Sequence, residues 1–246
     1  MIYMVLTGLR IYNINEPKVQ GSRFVDQTLM SRLNLRSRIA LKRTKRSKRS
    51  QPSNPGLTNM QEIRFHGRGG QGTVVASILL AKAFFSAGYY VQTFPVFGVE
   101  RRGAPVEAYL RLDRKKILLR CNVYTPDHAV VQDVKLLDSV DVTAGLKPEG
   151  WILVNAPGQP ANLAAFSGFH LACVDATDIA IQNELGTRTH PIINTAMIGA
   201  FARMMEMPPF EMISDAITED IPIKPEQNIQ ASKEAYKKVQ LIGLVD

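Results

Sequence analysis

Four glycines fall among six residues in Gly67-Arg-Gly-Gly-Gln-Gly72, and Gly67, Gly69 and Gly72 stand in the G-x-G-x-x-G register. Such a loop can offer bare backbone N–H groups to a phosphate. Glycine adopts conformations closed to other residues, puts no side chain between loop and ligand, and lets a following helix pack close. Arg68, Gly70 and Gln71 complete the loop and count with it as candidate contacts to a cofactor. A second stretch with chemical content is Phe94-Pro-Val-Phe-Gly-Val-Glu-Arg-Arg-Gly-Ala-Pro-Val106. Its prolines and glycines exclude regular structure and its charges, Glu100, Arg101 and Arg102, sit at the centre. Arg101 or Arg102 offers a planar fork for a phosphate, a carboxylate or a neighbouring subunit. The alternative is that Glu100 simply pairs with one of them.

The elements around the glycine loop decide what it can hold. Ile63 and Phe65 alternate with polar residues, predicting a strand over 62–66. Val74, Val75, Ile78, Leu79 and Ala83 recur at three- and four-residue spacing, predicting a helix over 72–87 with those residues on its buried face. Strand, glycine turn and helix together set an anion seat at a helix N-terminus. A dinucleotide site also needs an acidic residue about 20 residues on, at the end of the next strand, to grip the ribose. That strand, 89–94, ends Val91-Gln-Thr-Phe-Pro95 with no carboxylate. NAD is therefore disfavoured, and the loop is either a structural turn or a contact to some other phosphate or to a partner chain.

Downstream, Val106 to Arg111 alternates, as does part of Lys116 to Arg120, and Asp113-Arg114 between them suggests a hairpin. Buried strands are expected at 129–131, 151–155 and 170–174, and helices at 134–138, 176–185, 194–207, 210–217 and 227–243. Asp133 closes a strand, where ligands collect in open parallel sheets, but it also suits the N-cap of the helix after it. His128 reads as structural, and Met204, Met205 and Met207 as core filler. Gly199 and Ala200 favour close helix packing. The pattern is α/β: a three-layer, Rossmann-like, mostly parallel sheet with flanking helices, forming a single domain over 60–246.

The formal charge of +8 is unevenly placed. Residues 1–60 hold 12 Lys+Arg against 2 acids, whereas 61–246 hold 18 against 20. The run from Arg32 to Arg49 repels itself and buries little, so 1–59 is expected to be a disordered basic extension. Met60 opens a strand-first domain, and the extension is read as the product of an upstream start that the fold does not use. A basic tail can contact nucleic acid, yet the run has no aromatics to stack on bases, so nucleic acid is not the expected partner. Cys121 and Cys173 are too few and too far apart for an iron–sulfur cluster or a structural zinc, and sparing cysteine use suits a reducing cytoplasm. No apolar run approaches the roughly 18 residues of a membrane span, and no secretory signal is recognisable. Nucleophile elbows, zinc-protease motifs and a Walker lysine are all absent, so no catalytic residue is assigned. A chain with a phosphate-type loop, a charged loop and no reactive centre suits a subunit that shapes a site completed elsewhere.

Residues 60–246 resemble the gamma subunit of pyruvate:ferredoxin oxidoreductase (pyruvate synthase) and related 2-oxoacid:ferredoxin oxidoreductases. The motifs Glu62-Ile-Arg-Phe-His-Gly-Arg-Gly-Gly-Gln-Gly72, Phe94 to Val106 and Val130-Val-Gln-Asp133 carry the resemblance. Val142-Thr-Ala-Gly-Leu-Lys, Ile152-Leu-Val-Asn and Asn194-Thr-Ala-Met-Ile-Gly199 extend it. It implies a cytoplasmic assembly with alpha, beta and ferredoxin-like delta subunits. Thiamine diphosphate, Mg2+ and [4Fe–4S] clusters would be carried by the other chains, with coenzyme A as substrate and ferredoxin as electron acceptor. It further implies that Gly67–Gly72, Arg101 and Arg102 face the coenzyme A route or a subunit interface. The Glu100-Arg-Arg-Gly-Ala-Pro wording leans toward the pyruvate or branched-chain members. The rival readings are a free-standing Rossmann-type oxidoreductase and a basic nucleic-acid adaptor.

Overall fold

Four strands run parallel at the centre of the sheet. They are β3 (Gln61–Arg68), β6 (His128–Val131), β7 (Trp151–Asn155) and β8 (His170–Val174), paired in that order. In the computed structural model, residues 4–7, 10–13, 59–96 and 103–246 are described, the first two segments by their backbone pairing alone. All of them fall in one compact unit. Beyond β3 lie β5 (Pro105–Asp113) and β4 (Tyr90–Val96), each antiparallel to its neighbour. Within the extension 1–59, β1 (Met4–Thr7) and β2 (Arg10–Asn13) form a hairpin whose first strand pairs with β4. The basic run 32–49 lies outside the described residues. At the other edge β11 (Gln240–Leu244) pairs antiparallel with β8.

Alternation along the parallel strands splits the core in two. Val130, Leu153 and Ala172 face one side, where the five helices of the described residues pack: α1 (Thr73–Ser86), α2 (Ala176–Gln182), α3 (Asn194–Met205), α4 (Phe210–Asp220) and α5 (Pro225–Lys238). Val131, Ile152, Val154 and Leu171 face the other, which is closed by short 3-10 turns at Val134–Asp138 and Leu163–Phe166 and by the residues between them. The α/β sheet with flanking helices is thus the expected architecture, with its helices gathered on one face and antiparallel strands at both margins.

Four local expectations change. The buried face of α1 is Ala76, Leu79, Leu80, Ala83 and Phe84, and Val75 is exposed. A helix apolar all round, wedged between sheet and helices, does not reveal its facing side by periodicity. No hairpin forms at 113–114: residues 116–120 make no ladder, because β5 finds both its partners in β3 and β4. The last helix stops at Lys238, and the chain turns into β11. The loop 186–191 holds a two-residue hairpin, β9 (Gly186–Thr187) with β10 (His190–Pro191). The close packing expected of Gly199 is present, since a Cβ there would strike the Ser232 backbone oxygen on α5.

Candidate functional site

The chain runs from β3 through α1 to β4, on one side of β3, while β6 continues the sheet on the other. Such a switch point opens a crevice beyond the carboxyl ends of the strands. The glycine loop after β3 and the turn after β6 border it, and a cleft of about 740 Å³ opens there, floored by Gln132, Asn155 and Thr177. The sequence placed Gly67, Arg68, Gly69, Gly70, Gln71 and Gly72 together, and they are together, with all but Gly67 and Gly72 lining the cleft. Arg101 and Arg102 lie outside the described residues.

Three of the four loop glycines have a structural reason. A Cβ on Gly67 would collide with Thr73 Oγ1 and come within 2.8 Å of Gln132 Oε1. Gly72 sits at φ 76°, left-handed, and its Cβ would approach Asn194 Nδ2 at 2.9 Å. Gly70 has φ +97° with open space around it. Close packing therefore selects Gly67, backbone conformation Gly70, and both Gly72.

The loop is held by its own donors. The Arg68 N–H donates to Gln71 Oε1 (2.8 Å), the Gly69 N–H to Ala104 O (2.9 Å) and the Gln71 N–H to Arg68 O (3.0 Å). These three amides are engaged before any ligand arrives. Arg68 Nε donates to Asp133 Oδ2 at 2.8 Å, Gln71 Nε2 reaches the same oxygen at 3.3 Å, and Asp133 Oδ1 accepts the Lys135 N–H at 3.0 Å. Asp133 is thus both the N-cap expected of it and the anchor of the glycine loop. It neutralises Arg68, and the other cations on the cleft wall are Lys135 and Arg188.

Gln132 is fully buried beneath this wall. Its Oε1 accepts the Thr73 hydroxyl at 2.6 Å, its N–H donates to His66 O at 2.8 Å, and its Nε2 has no hydrogen-bond partner among the described residues. Asn155 Nδ2 bridges Gln132 O (2.9 Å) and Thr177 Oγ1 (3.0 Å), tying β6, β7 and α2 together. Sequence reasoning missed Gln132 as a site residue, along with Asn155, Thr177 and Arg188. For Gln132 and Asn155 the signal was available, since each closes a predicted buried strand.

His66 and His128 offer no acid–base group near neutral pH. His66 is 2% exposed, and burial, aided by the Arg64 charge, pushes its pKa down to about 3. Burial likewise lowers His128 to about 4, where its Nδ1 accepts the Trp151 N–H and its Nε2 meets Gln61 Oε1, the structural role expected of it. Burial raises the Cys173 thiol to about 11, leaving it protonated. Among the described residues no three His, Cys, Asp or Glu side chains converge as metal ligands, and no helix is long and apolar enough to cross a membrane.

A family model described as pyruvate ferredoxin/flavodoxin oxidoreductase matches residues 62–238. The pyruvate synthase subunit PorC of Methanocaldococcus jannaschii is 48% identical over 181 residues, spanning 73% of this chain and 97% of the relative. The common subunit gamma of the pyruvate/ketoisovalerate oxidoreductases of Pyrococcus furiosus is 47% identical over 189 residues, 75% of this chain and 100% of that one. The crystal structure of pyruvate oxidoreductase subunit PORC from Thermotoga maritima superposes with a TM-score of 0.63 at 37% identity, covering 74% of this chain and 97% of the other.

Proposed function

Because the chain belongs to the pyruvate ferredoxin/flavodoxin oxidoreductase family, as its gamma subunit, we propose that it works inside a multi-chain complex and has no turnover of its own. The complex joins the acyl group of a 2-oxoacid to coenzyme A, releases CO2 and passes two electrons to ferredoxin. Pyruvate is the preferred substrate, in keeping with the names of the relatives. The observation that carries the subunit reading is coverage: the chain spans 97–100% of relatives that are themselves named as subunits.

The groups that perform the redox chemistry do not fit this chain. A [4Fe–4S] cluster takes four thiolates, whereas the two cysteines here are Cys121, exposed, and Cys173, buried in the sheet core. The clusters are therefore assigned to partner chains; thiamine diphosphate with its Mg2+ is proposed to sit in the alpha, beta and delta partners of a cytoplasmic assembly on the strength of the family resemblance, and no step is routed through these groups here. What this chain supplies is a wall. Its glycine loop, stapled by Asp133, and the cations Lys135 and Arg188 border the cleft on the side proposed to face the coenzyme A route or a neighbouring subunit. Arg101 and Arg102 are proposed for the same side on sequence grounds.

The test is anaerobic purification of the chain with whatever accompanies it, followed by assay of pyruvate- and coenzyme A-dependent ferredoxin reduction. Activity should reside in the assembly and be absent from the isolated chain. An isolated chain that turns over pyruvate, or one that purifies without companions from its native host, would refute the proposal. Arg101→Gln or Arg188→Gln should raise the coenzyme A KM or weaken assembly. If both stay unchanged, the placement of the cleft is wrong.

A further inference from the structure

The helix-free face of the sheet is covered unevenly. Over β6, β7 and β8 it is closed by a hydrophobic cluster with Val142, Leu146 and Phe166. Over β5 and β4 the sheet instead presents Arg111 and Gln92, both buried, and the segment after β5 crosses them. Gln92 Nε2 donates to Ile117 O at 3.3 Å, and Arg111 Nη2 donates to Asn122 O at 3.1 Å. Ile117 and Val123 point inward and are buried. The inner side of residues 115–124 is therefore pinned at both ends.

Its outer side is exposed to solvent. Leu118 is 77% exposed and Tyr124 72% exposed, with Leu119 and Cys121 exposed between them. Arg120 aside, the backbone N–H groups from Lys116 to Tyr124 donate to no described residue. The sequence alternates here as a strand does, yet it makes no ladder with any described strand. Residues 114–125 hold four cations, Arg114, Lys115, Lys116 and Arg120, and no acid. An apolar strip with open amides is the edge that a strand of another chain completes.

We propose that residues 115–124 are the docking strip for an acidic and apolar segment of a partner subunit, which adds to it along the open backbone edge. This rests on the subunit reading above. Charge decides the occupant. The chain's own extension carries 12 Lys+Arg against 2 acids in residues 1–60 and would be repelled, and a second copy would set one basic strip against another.

The experiment compares amide hydrogen exchange of 115–124 in the isolated full chain and in the complex with its partner subunits, and measures assembly of two variants. Exchange should slow about tenfold or more on assembly. Lys115→Glu/Lys116→Glu should weaken assembly several-fold at low salt and by less at high salt. Leu118→Asp/Tyr124→Asp should weaken it at any salt. Both pairs are solvent-facing, so exchange in β3, β6 and β7 should be unaltered and reports that the fold is intact. Equal exchange in the free and assembled chain overturns the proposal. So does protection of the isolated chain at high concentration, which would mean self-pairing, or indifference of assembly to the charge reversal. If no complex forms with any other chain, the subunit reading falls too, whereas a complex with an unprotected strip sinks this inference alone.

Discussion

Arg68 Nε lies 2.8 Å from Asp133 Oδ2, joining the end of β3 to the turn after β6 across the mouth of the cleft. The two side chains are 30% and 17% exposed, so water screens the pair and the charge term alone is small. Asp133 does more than pair, because it also caps the 3-10 turn and receives Gln71. Asp133→Ala should lower stability by about 1–2 kcal/mol, most of it the lost cap. Asp133→Asn, which keeps an acceptor oxygen, should cost less. Urea unfolding of the three proteins checks the order, and equal midpoints would show that the loop does not depend on this anchor.

Gly67 and Gly70 are three residues apart and should respond differently to alanine. At Gly67 the new methyl meets Thr73 and Gln132, which themselves share a hydrogen bond, so Gly67→Ala should cost about 2–3 kcal/mol by overpacking. At Gly70 nothing lies within 4 Å and only the positive φ resists, so Gly70→Ala should cost about 1 kcal/mol. If Gly70→Ala were the more damaging in denaturant unfolding, the steric account of the loop would be wrong.

Glu62 and Arg111 form a pair on the helix-free face of the sheet, 2.6 Å apart, with Arg111 1% exposed and its guanidinium over the Phe94 ring. Removing one partner leaves the other charge buried without its counter-ion. Glu62→Gln should therefore cost about 3 kcal/mol, more than the anchor variant at Asp133. Replacing both as Glu62→Leu/Arg111→Met should recover part of that loss. A double variant no more stable than Glu62→Gln would mean that the cover over β5, rather than the pair, sets the cost.

The strand–loop–helix unit and the three later parallel strands were legible because each announces itself within a dozen residues, through apolar runs, glycine spacing and periodicity. The partners of each strand were not. That β5 inserts between β3 and β4 depends on which edge is free in three dimensions, so the alternation at Lys116 to Arg120 read as the second arm of a hairpin although its edge stays open. Gln240 to Leu244 continued a helical stretch in the sequence, and only the exposed edge of β8 makes it a strand. At the site the glycines were legible, but the role of Asp133 as anchor was half visible: the cap is local, whereas its contact with Arg68 spans 65 residues. Gln132 was visible only as the polar end of a buried strand, and its importance comes from joining Thr73 at the start of α1 to the cleft floor of which it is part.

Two buried neutral histidines give the fold a dependence on pH with a definite sign. The folded pKa values, about 3 for His66 and about 4 for His128, lie below the ordinary value of 6.5. Below pH 6.5 the unfolded chain binds protons at these sites and the folded chain does not, so the balance moves toward unfolding as pH falls. Their contribution is fully present above pH 6.5, declines by about 1.4 kcal/mol per pH unit for each histidine, and levels off near pH 4 for His128 and lower for His66. Asp141, held below its usual range by hydrogen bonds from Thr143, adds a loss in the same direction at more acidic pH. Urea unfolding from pH 7.5 to 4.5 should show the decline, and His128→Gln should reduce its slope whatever it does to stability at pH 7.5. An unchanged slope in that variant, or a flat wild-type profile, would mean that the unfolded and folded chains bind protons alike and that His128 is not held neutral by burial.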